Sequence, residues 1–148
     1  MKRFTAALSF LFFLSLAGFS QPIPADKVPV KIKQAFEARF PKATDVKYEL
    51  ETRDYEVSFK SGGVSMSADF DPTGKWMETE TDIPVKDLPK EVAASLLKNF
   101  PGFKTESTSR IETSGGEITY EADIRKDKEK YEVSFSLKGD VLKKKVRK

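Results

Sequence analysis

Two segments with the same signature, sixty residues apart, constrain the fold of this chain more than any other feature. The first begins at Val28-Pro29 and ends at Phe40-Pro41, and the second begins at Leu88-Pro89 and ends at Phe100-Pro101. Apolar residues recur between these limits at helical spacing. Proline is tolerated in the first turn of a helix, where its missing N–H needs no partner, and a proline after the last apolar residue ends the helix. The pattern therefore predicts one helix in each segment.

Runs of alternating apolar and polar residues follow each predicted helix, which is typical of strands with one buried face. The second set of runs matches the first at an offset of 65 residues, so the second copy carries five extra residues. The predicted strands span 46–52, 54–60, 64–71, 75–82, 104–113, 117–126, 130–137 and 141–147. We therefore predict an α+β fold of two tandem repeats, each with one helix followed by a roughly four-stranded antiparallel sheet, with the helices packed on one sheet face.

The first twenty residues have the organisation of a secretory signal peptide. Lys2 and Arg3 precede an apolar run that ends in small residues at Gly18 and Ser20. This run of about 16 residues is shorter than the roughly 20 that span a bilayer, which favours a cleaved signal over a membrane anchor. We predict a cut after Ser20 and a periplasmic or secreted mature protein without a membrane span. The predicted organisation is a signal peptide at 1–20, an extended leader at 21–27, and repeats at 28–83 and 84–148.

Composition restricts the chemistry that is open to the mature chain. The chain has no cysteine and no histidine, which removes disulfides, the commonest general base and the commonest metal ligand. Its 26 basic and 23 acidic residues are interspersed, and two of the basic residues leave with the signal. Such a near balance is not the basic footprint of a nucleic-acid-binding protein. We therefore predict no nucleic-acid partner and no cofactor.

Several candidate chemistries are better interpreted as structural features. Without histidine or cysteine, only a serine–lysine pair could supply a nucleophile and its base. Acids within 49–82 alternate along strands, as on a solvated sheet face, rather than forming a catalytic pair. Residues 69–74 resemble a Ca²⁺ loop, but Phe70 and Pro72 interrupt its oxygen ligands, which favours a hairpin turn. The basic stretch 143–148 favours an edge strand over a contact with an anionic surface. We predict neither catalytic residues nor a metal site.

A helix ending in Phe-Pro, a Tyr-x-Val-x-Phe strand and a Phe-Asp-x-x-Gly turn follow one another in the first copy and, less closely, in the second. The segments that carry this order are Phe40-Pro41, 55–59 and 70–74, then Phe100-Pro101, 120–124 and 135–139. The arrangement resembles the PepSY-like family of exported bacterial proteins, whose fold is similar to that of β-lactamase inhibitory protein. The resemblance implies the fold and an exported setting. The peptidase-regulating and enzyme-inhibiting roles proposed for such proteins do not transfer without the residues that make the contacts.

The predicted binding surface is the sheet face that points away from the helices. It carries charges of both signs and almost no aromatic anchor, which argues against a tight inhibitor. Trp76-Met77 is the exception, because neighbours on a strand point to opposite faces and one of the two must be open. The alignment of the two copies buries Trp76 and leaves Met77 open, whereas a bulge after Gly74 would reverse this. The predicted binding residues are Trp76, Met77, Glu121, Asp123 and Arg125.

These features together predict an exported, non-catalytic binding module that regulates or inhibits an envelope protein or binds an envelope peptide. One alternative is a structural scaffold that associates with itself through strand edges. Another is a weak binder of lipid or sugar. An apolar cavity between helix and sheet would favour lipid, and an exposed aromatic patch on the open side would favour protein.

Overall fold

The computed structural model describes residues 20–147, which form one sheet, two α-helices and a short 3-10 helix. The helices are α1 (Val30–Arg39) and α2 (Lys90–Asn99), and the 3-10 helix spans Val85–Asp87. The strands are β1 (Ser20–Ile23), β2 (Thr44–Glu51), β3 (Asp54–Ser61), β4 (Val64–Phe70), β5 (Trp76–Asp82), β6 (Lys104–Thr113), β7 (Ile118–Lys126), β8 (Glu129–Ser136) and β9 (Val141–Val146). The predicted signal peptide lies outside the described residues, except for its last residue, Ser20. Neither described helix is long and apolar enough to cross a membrane.

The nine strands form one antiparallel sheet in sequence order from β1 to β9. β5 pairs with β6 from Glu78, opposite Thr113, to Asp82, opposite Ser109, although α2 lies between the two strands in the sequence. β1 adds a strand that pairs with β2. The predicted fold class, two tandem repeats that each carry a four-stranded sheet, is therefore wrong. Alternation within a strand identifies its buried face but does not identify its neighbour, so it could not predict the β5–β6 pairing.

Each helix begins after a proline and ends at the phenylalanine of a Phe-Pro pair. Pro29 precedes α1, and the Phe40 N–H donates to the Phe36 carbonyl oxygen at 2.8 Å. The end of α2 is built in the same way, with the Phe100 N–H donating to the Leu96 carbonyl oxygen at 3.0 Å. The next residue is a proline in both cases, and its ring cannot supply the N–H that another helical turn would need.

Two hydrophobic clusters hold the helices on the sheet. The first cluster consists of Val28, Ile32, Phe36, Tyr48, Val57, Phe59, Ala68 and Phe70. The second consists of Leu88, Val92, Leu96, Tyr120, Ala122, Ile124, Val133 and Phe135. Burial of these apolar side chains against the sheet supplies the main driving force for docking each helix.

The strand register places both clusters on the same side of the sheet. Residues directly opposite one another on neighbouring strands share a face. Ala68, from the first cluster, lies opposite Thr79, and Thr79 in turn lies opposite Glu112. Glu112 lies opposite Ile118, which packs against the second cluster. We call this side the helix face and the other side the open face.

Two hairpin turns meet the first turns of the helices at close range. Gly74, between β4 and β5, has φ +90°, and a Cβ added there would lie 3.2 Å from the backbone oxygen of Lys31 in α1. Gly139, between β8 and β9, has φ +83°, and its Cβ would lie 2.4 Å from the backbone oxygen of Glu91 in α2. Glycine tolerates both the positive φ and the close approach. These turns therefore fix where each helix starts above the sheet.

Candidate functional site

Four carboxylates stand side by side on the open face across β2 to β5. Glu49 lies opposite Glu56, and Glu56 lies opposite Asp69. Asp69 in turn lies opposite Glu78. We call these four residues the acidic row. Like charges placed directly opposite one another on neighbouring strands destabilise a sheet, so the row has an energetic cost to the fold.

Burial and mutual repulsion shift the ionisation of the acidic row. Burial, followed by the charges of Glu78 and Glu56, raises the pKa of Asp69 to about 8. Burial, followed by the charges of Glu51 and Glu49, raises the pKa of Glu56 to about 7. Burial also raises the pKa of Glu78. Near neutral pH the row therefore retains protons that isolated carboxylic acids would have released.

A second group of carboxylates surrounds a cavity of about 110 Å³ on the open face of β5 to β9. We call it the carboxylate pocket. Its lining residues are Glu80, Asp82, Ser107, Thr108, Ser109, Glu121, Asp123, Glu132 and Arg147. Burial raises the pKa of Glu80, with a hydrogen bond from Ser109 opposing the shift. Burial likewise raises the pKa of Glu121, which accepts a hydrogen bond from Ser134 Oγ at 2.7 Å.

One guanidinium group enters the carboxylate pocket from the end of β9. Arg147 Nη1 donates to Asp123 Oδ2, and Arg147 Nε lies 3.8 Å from Glu132 Oε2. The hydrogen bond to Asp123 raises the pKa of Arg147 further above its usual range. Asp123 Oδ2 also accepts from Ser107 Oγ at 2.8 Å, whereas its buried Oδ1 has no hydrogen-bond partner among the described residues.

A wider cleft of about 710 Å³ lies beside the carboxylate pocket. It shares Glu80 and Asp82 with the pocket and extends over β2, β3 and β4. Lys47 and Lys60 are among the residues that line it, so its charge is mixed. Val46, Phe59 and Met66 also line it, so the cleft is partly apolar, unlike the carboxylate pocket.

The predicted binding residues do not form one site. Glu121 and Asp123 line the carboxylate pocket. Arg125 lies on the same strand, but it is absent from the pocket lining, and its Nη1 lies 3.6 Å from Glu106 Oε1. Whether these residues bind a partner stays a prediction.

Trp76 and Met77 lie apart from the carboxylate pocket. Trp76 packs against the first hydrophobic cluster, and the Arg39 guanidinium lies 3.3 Å from its ring centroid. Its Nε1 donates to Thr79 Oγ1 at 2.9 Å. Met77 is the extra residue of a bulge, because Phe70 pairs with Trp76 while its neighbour Asp69 pairs with Glu78. Trp76 therefore lies on the helix face, where the alignment of the two copies placed it, and the bulge at Met77 interrupts the alternation of β5.

Sequence reasoning missed the acidic row, although one signal for it was available. The β3–β4 hairpin closes with Ser61 opposite Val64, and counting outwards from that turn places Glu56 opposite Asp69. The sequence contained no comparable signal that Glu80 and Arg147 line one pocket, because their proximity depends on the pairing of β5 with β6. Among residues 20–147, no group of three or more acidic residues is arranged to hold a metal ion.

One known protein family matches this chain over most of its length. The family model described as β-lactamase-inhibitor-like and PepSY-like matches residues 18–69 and 53–143. Among curated proteins, none matches the chain significantly. The resemblance to PepSY-like proteins predicted from the motifs is confirmed by the family match.

Solved structures from Bacteroides species share the fold at low sequence identity. A protein of Bacteroides eggerthii named as an inferred periplasmic protein is 19% identical with a TM-score of 0.76, covering 80% of this chain and 88% of the other. A DUF2874 family protein of Bacteroides uniformis is 16% identical with a TM-score of 0.76, covering 80% and 89%. A BLIP-like protein of Bacteroides fragilis is 20% identical with a TM-score of 0.69, covering 84% and 87%. With the family match spanning most of its length, this chain belongs to the β-lactamase-inhibitor-like, PepSY-like family.

Proposed function

We propose that this protein is an exported, non-catalytic binding module that holds a basic partner protein on its open face. One observation carries the proposal: the acidic row and the carboxylate pocket lie on the same face of the sheet, the face that neither helix covers. A surface of one sign of charge attracts and orients a partner of the opposite sign. The partner we propose is therefore a protein that presents lysine or arginine residues.

The energetic cost of the acidic row supports a role in binding. Each carboxylate in the row faces another carboxylate, and Asp69 and Glu56 are protonated well above the usual pH range for such groups. A fold selected for stability alone would place neutral or oppositely charged residues there. A cation placed over the row would remove the repulsion and allow the carboxylates to ionise. Burial, followed by this repulsion, accounts for the raised pKa values of Asp69 and Glu56 without a catalytic role.

The chemistry of the open face sets the expected strength of binding. Its clefts are lined mainly by carboxylates, hydroxyls and lysines, and Trp76 is packed on the other side. Exposed charge pairs contribute about 0–1 kcal/mol each, and salt screens them. We therefore expect micromolar rather than nanomolar affinity, with binding that weakens as salt rises. The polar lining of the carboxylate pocket favours a protein partner over a lipid there.

Export is supported by two independent features. Residues 1–20 have the charge, apolar run and small-residue exit of a signal peptide. The similar structure from Bacteroides eggerthii is named as an inferred periplasmic protein. Recovery of the native protein with an N-terminus at Gln21 would support this part of the proposal, whereas an intact Met1 on a cytoplasmic protein would contradict it.

A self-associating scaffold is the second candidate function. β1 and β9 each pair with a single strand among residues 20–147, so each has an edge that another chain could extend. Against this, Lys143, Lys144 and Lys145 crowd β9, and lysines on an edge strand oppose edge-to-edge pairing. Sedimentation of the mature protein over a wide concentration range separates the two functions, since a scaffold would form growing assemblies.

The proposed function is tested with two triple variants of the mature protein, residues 21–148. The first, Glu56→Gln/Asp69→Asn/Glu78→Gln, replaces three of the four acids of the acidic row with amides. The matched control, Glu37→Gln/Asp87→Asn/Glu91→Gln, replaces the same number of acids at exposed positions outside the open face.

Wild-type protein is first used to capture a partner from the native envelope, and the purified partner is then titrated into each variant by calorimetry. We expect the row variant to lose at least tenfold in affinity and the control to bind as wild type. A partner that binds both variants equally well would show that the open face is not the binding surface.

A further inference from the structure

The end of β9 places a cation of the protein's own inside the carboxylate pocket. Arg147 donates to Asp123 and lies beside Glu132, as a guanidinium group from another protein would. We propose that Arg147 is a built-in competitor, which occupies the carboxylate pocket in the free protein and is displaced when an arginine of the basic partner binds there. This inference rests on the proposed function and names both the chemistry of the partner and a control on its binding.

The pocket holds more carboxylate than Arg147 can neutralise. Five acidic residues line it: Glu80, Asp82, Glu121, Asp123 and Glu132. Arg147 contacts only two of them, and Asp123 Oδ1 has no hydrogen-bond partner among the described residues. A planar guanidinium with five N–H donors suits such a set of acceptors, since it can pair with two carboxylate oxygens at once. The unused acceptors would allow a guanidinium in place of Arg147 to pair with more of these carboxylates.

The attachment of Arg147 favours exchange over a fixed structural role. Its side chain is 50% exposed, and exposed ion pairs contribute little to stability. It lies one residue beyond β9, a strand that pairs only with β8 among the described residues. The Arg147 N–H donates to the Lys130 carbonyl oxygen at 2.9 Å, which holds the backbone in place while the side chain is free to swing out. An arginine of a partner could therefore replace the side chain without unfolding the strand.

Lys144 supplies a matched control on the same strand. It lies opposite Val133, a buried residue of the helix face, whereas Lys145 lies opposite Glu132 on the open face. The Nζ of Lys144 lies 3.9 Å from the Tyr131 ring centroid. Lys144→Gln therefore removes one positive charge from β9, as Arg147→Gln does, without emptying the pocket. Any effect of net charge on a cationic probe is common to both variants.

The experiment measures binding of a fluorescein-labelled hexa-arginine peptide to the mature protein by anisotropy at low ionic strength. We expect Arg147→Gln to bind about tenfold more tightly than Lys144→Gln, the factor expected if Arg147 fills the pocket about nine-tenths of the time. Adding Asp123→Asn to Arg147→Gln should remove that gain. Arg147→Lys, which keeps the charge without the planar guanidinium, should show a smaller increase in affinity than Arg147→Gln. Thermal unfolding followed by circular dichroism checks that each variant is folded.

Equal affinity of Arg147→Gln and Lys144→Gln for the hexa-arginine peptide would show that Arg147 does not compete for the pocket. If Arg147→Gln gained as much affinity for a hexa-lysine peptide, the pocket would bind any cation and would not be a guanidinium site. The acidic-row variant separates this inference from the proposed function. If that variant binds the peptide as wild type does, then the proposed function fails. If it binds weakly while Arg147→Gln gains nothing, only the competitor is wrong.

Discussion

Strands β2–β5 and strands β6–β9 both carry acids on the open face, but they balance the charge differently. In the first half, the neighbours of Asp69 are Glu56 and Glu78, and protonation relieves the repulsion. In the second half, Asp123 and Glu132 lie within reach of Arg147, and Lys145 lies 3.9 Å from Glu132. One half therefore depends on protons, and the other supplies its own cations.

The helix faces of the two halves differ as well. Phe36 of α1 is ringed by aromatic side chains, with centroid distances of 5.0 Å to Phe59 and 5.5 Å to Phe40. The buried apolar side chains of α2 itself, Val92 and Leu96, are aliphatic, and the aromatic contacts there begin at Phe100, whose ring lies 6.4 Å from that of Phe135. Aromatic pairs add a geometry-dependent attraction to the burial of their area. The first half therefore combines an aromatic contact network around its helix with directly opposed carboxylates on its open face.

The largest expected effect is on the core of the first half. Phe36→Ala should lower the free energy of unfolding by about 3–5 kcal/mol, because it removes a fully packed ring and its aromatic contacts. Leu96→Ala should cost less, near the lower end of about 2–5 kcal/mol, since Leu96 is 7% exposed and Phe36 is 2% exposed. Urea unfolding of both variants measures the difference. A larger loss for Leu96→Ala would reverse the order of the two cores.

The next effect compares the turns beneath the helices. Alanine at either glycine incurs about 1–2 kcal/mol from the positive φ. Gly139→Ala should cost about 1–3 kcal/mol more, because its Cβ would lie 2.4 Å from a backbone oxygen, against 3.2 Å at Gly74. Thermal unfolding of the two variants under the same conditions measures this. Equal losses would mean that α2 shifts easily, and that its position over the second half is less fixed than the geometry indicates.

The acidic row predicts a dependence of stability on pH. Because the pKa of Asp69 is raised to about 8, the folded protein holds a proton that the unfolded chain releases above about pH 4. The resulting stabilisation is complete below about pH 4 and is lost as the pH rises towards 8, with a slope of up to about 1.4 kcal/mol per pH unit for one proton. The same direction holds for Glu56.

Asp69→Asn should therefore flatten the decline in stability between pH 5 and 8, while Asp87→Asn, in the exposed link between β5 and α2, should leave it unchanged. Urea unfolding at a series of pH values measures both. A steeper decline in Asp69→Asn than in wild type would refute the electrostatic account of the row.

The smallest effect concerns the second half. Arg147→Gln should change the free energy of unfolding by only about 0–1 kcal/mol, because the ion pairs that it breaks are half-exposed. Urea unfolding at neutral pH is again the measurement, with Lys144→Gln as the reference. A loss of several kcal/mol would make Arg147 a structural residue and would contradict its role as an exchangeable occupant of the pocket.

The local features of the sequence predicted local structure well. Pro29 and Phe40-Pro41 bound α1, and Trp76 packs on the helix face, where the alignment of the two copies placed it. These features depend on contacts between residues close in sequence or on one strand. The division of the sheet depended on distant pairing, and there the prediction of two four-stranded sheets was wrong, because β5 and β6 meet across α2.

The candidate site divides in the same way. Glu121 and Asp123 could be placed on the open face from the pattern of β7 alone. Their neighbours Glu80 and Arg147 come from β5 and from beyond β9, so only the complete sheet brings them together. Alternation correctly placed the acids on the open face of the sheet. It did not show that the register of the hairpins sets Glu56, Asp69 and Glu78 directly opposite one another.

The pairing of β5 with β6 also bears on how this protein avoids association with other chains. Two separate four-stranded sheets would present four edges with unpaired N–H and C=O groups, each able to recruit a strand from another chain. Joining them leaves only the outer sides of β1 and β9 among residues 20–147. β1 carries Pro22, which has no N–H to offer, and β9 is dense in lysine. The joined sheet thus halves the surface through which chains could aggregate and places a proline or a row of positive charges on what remains.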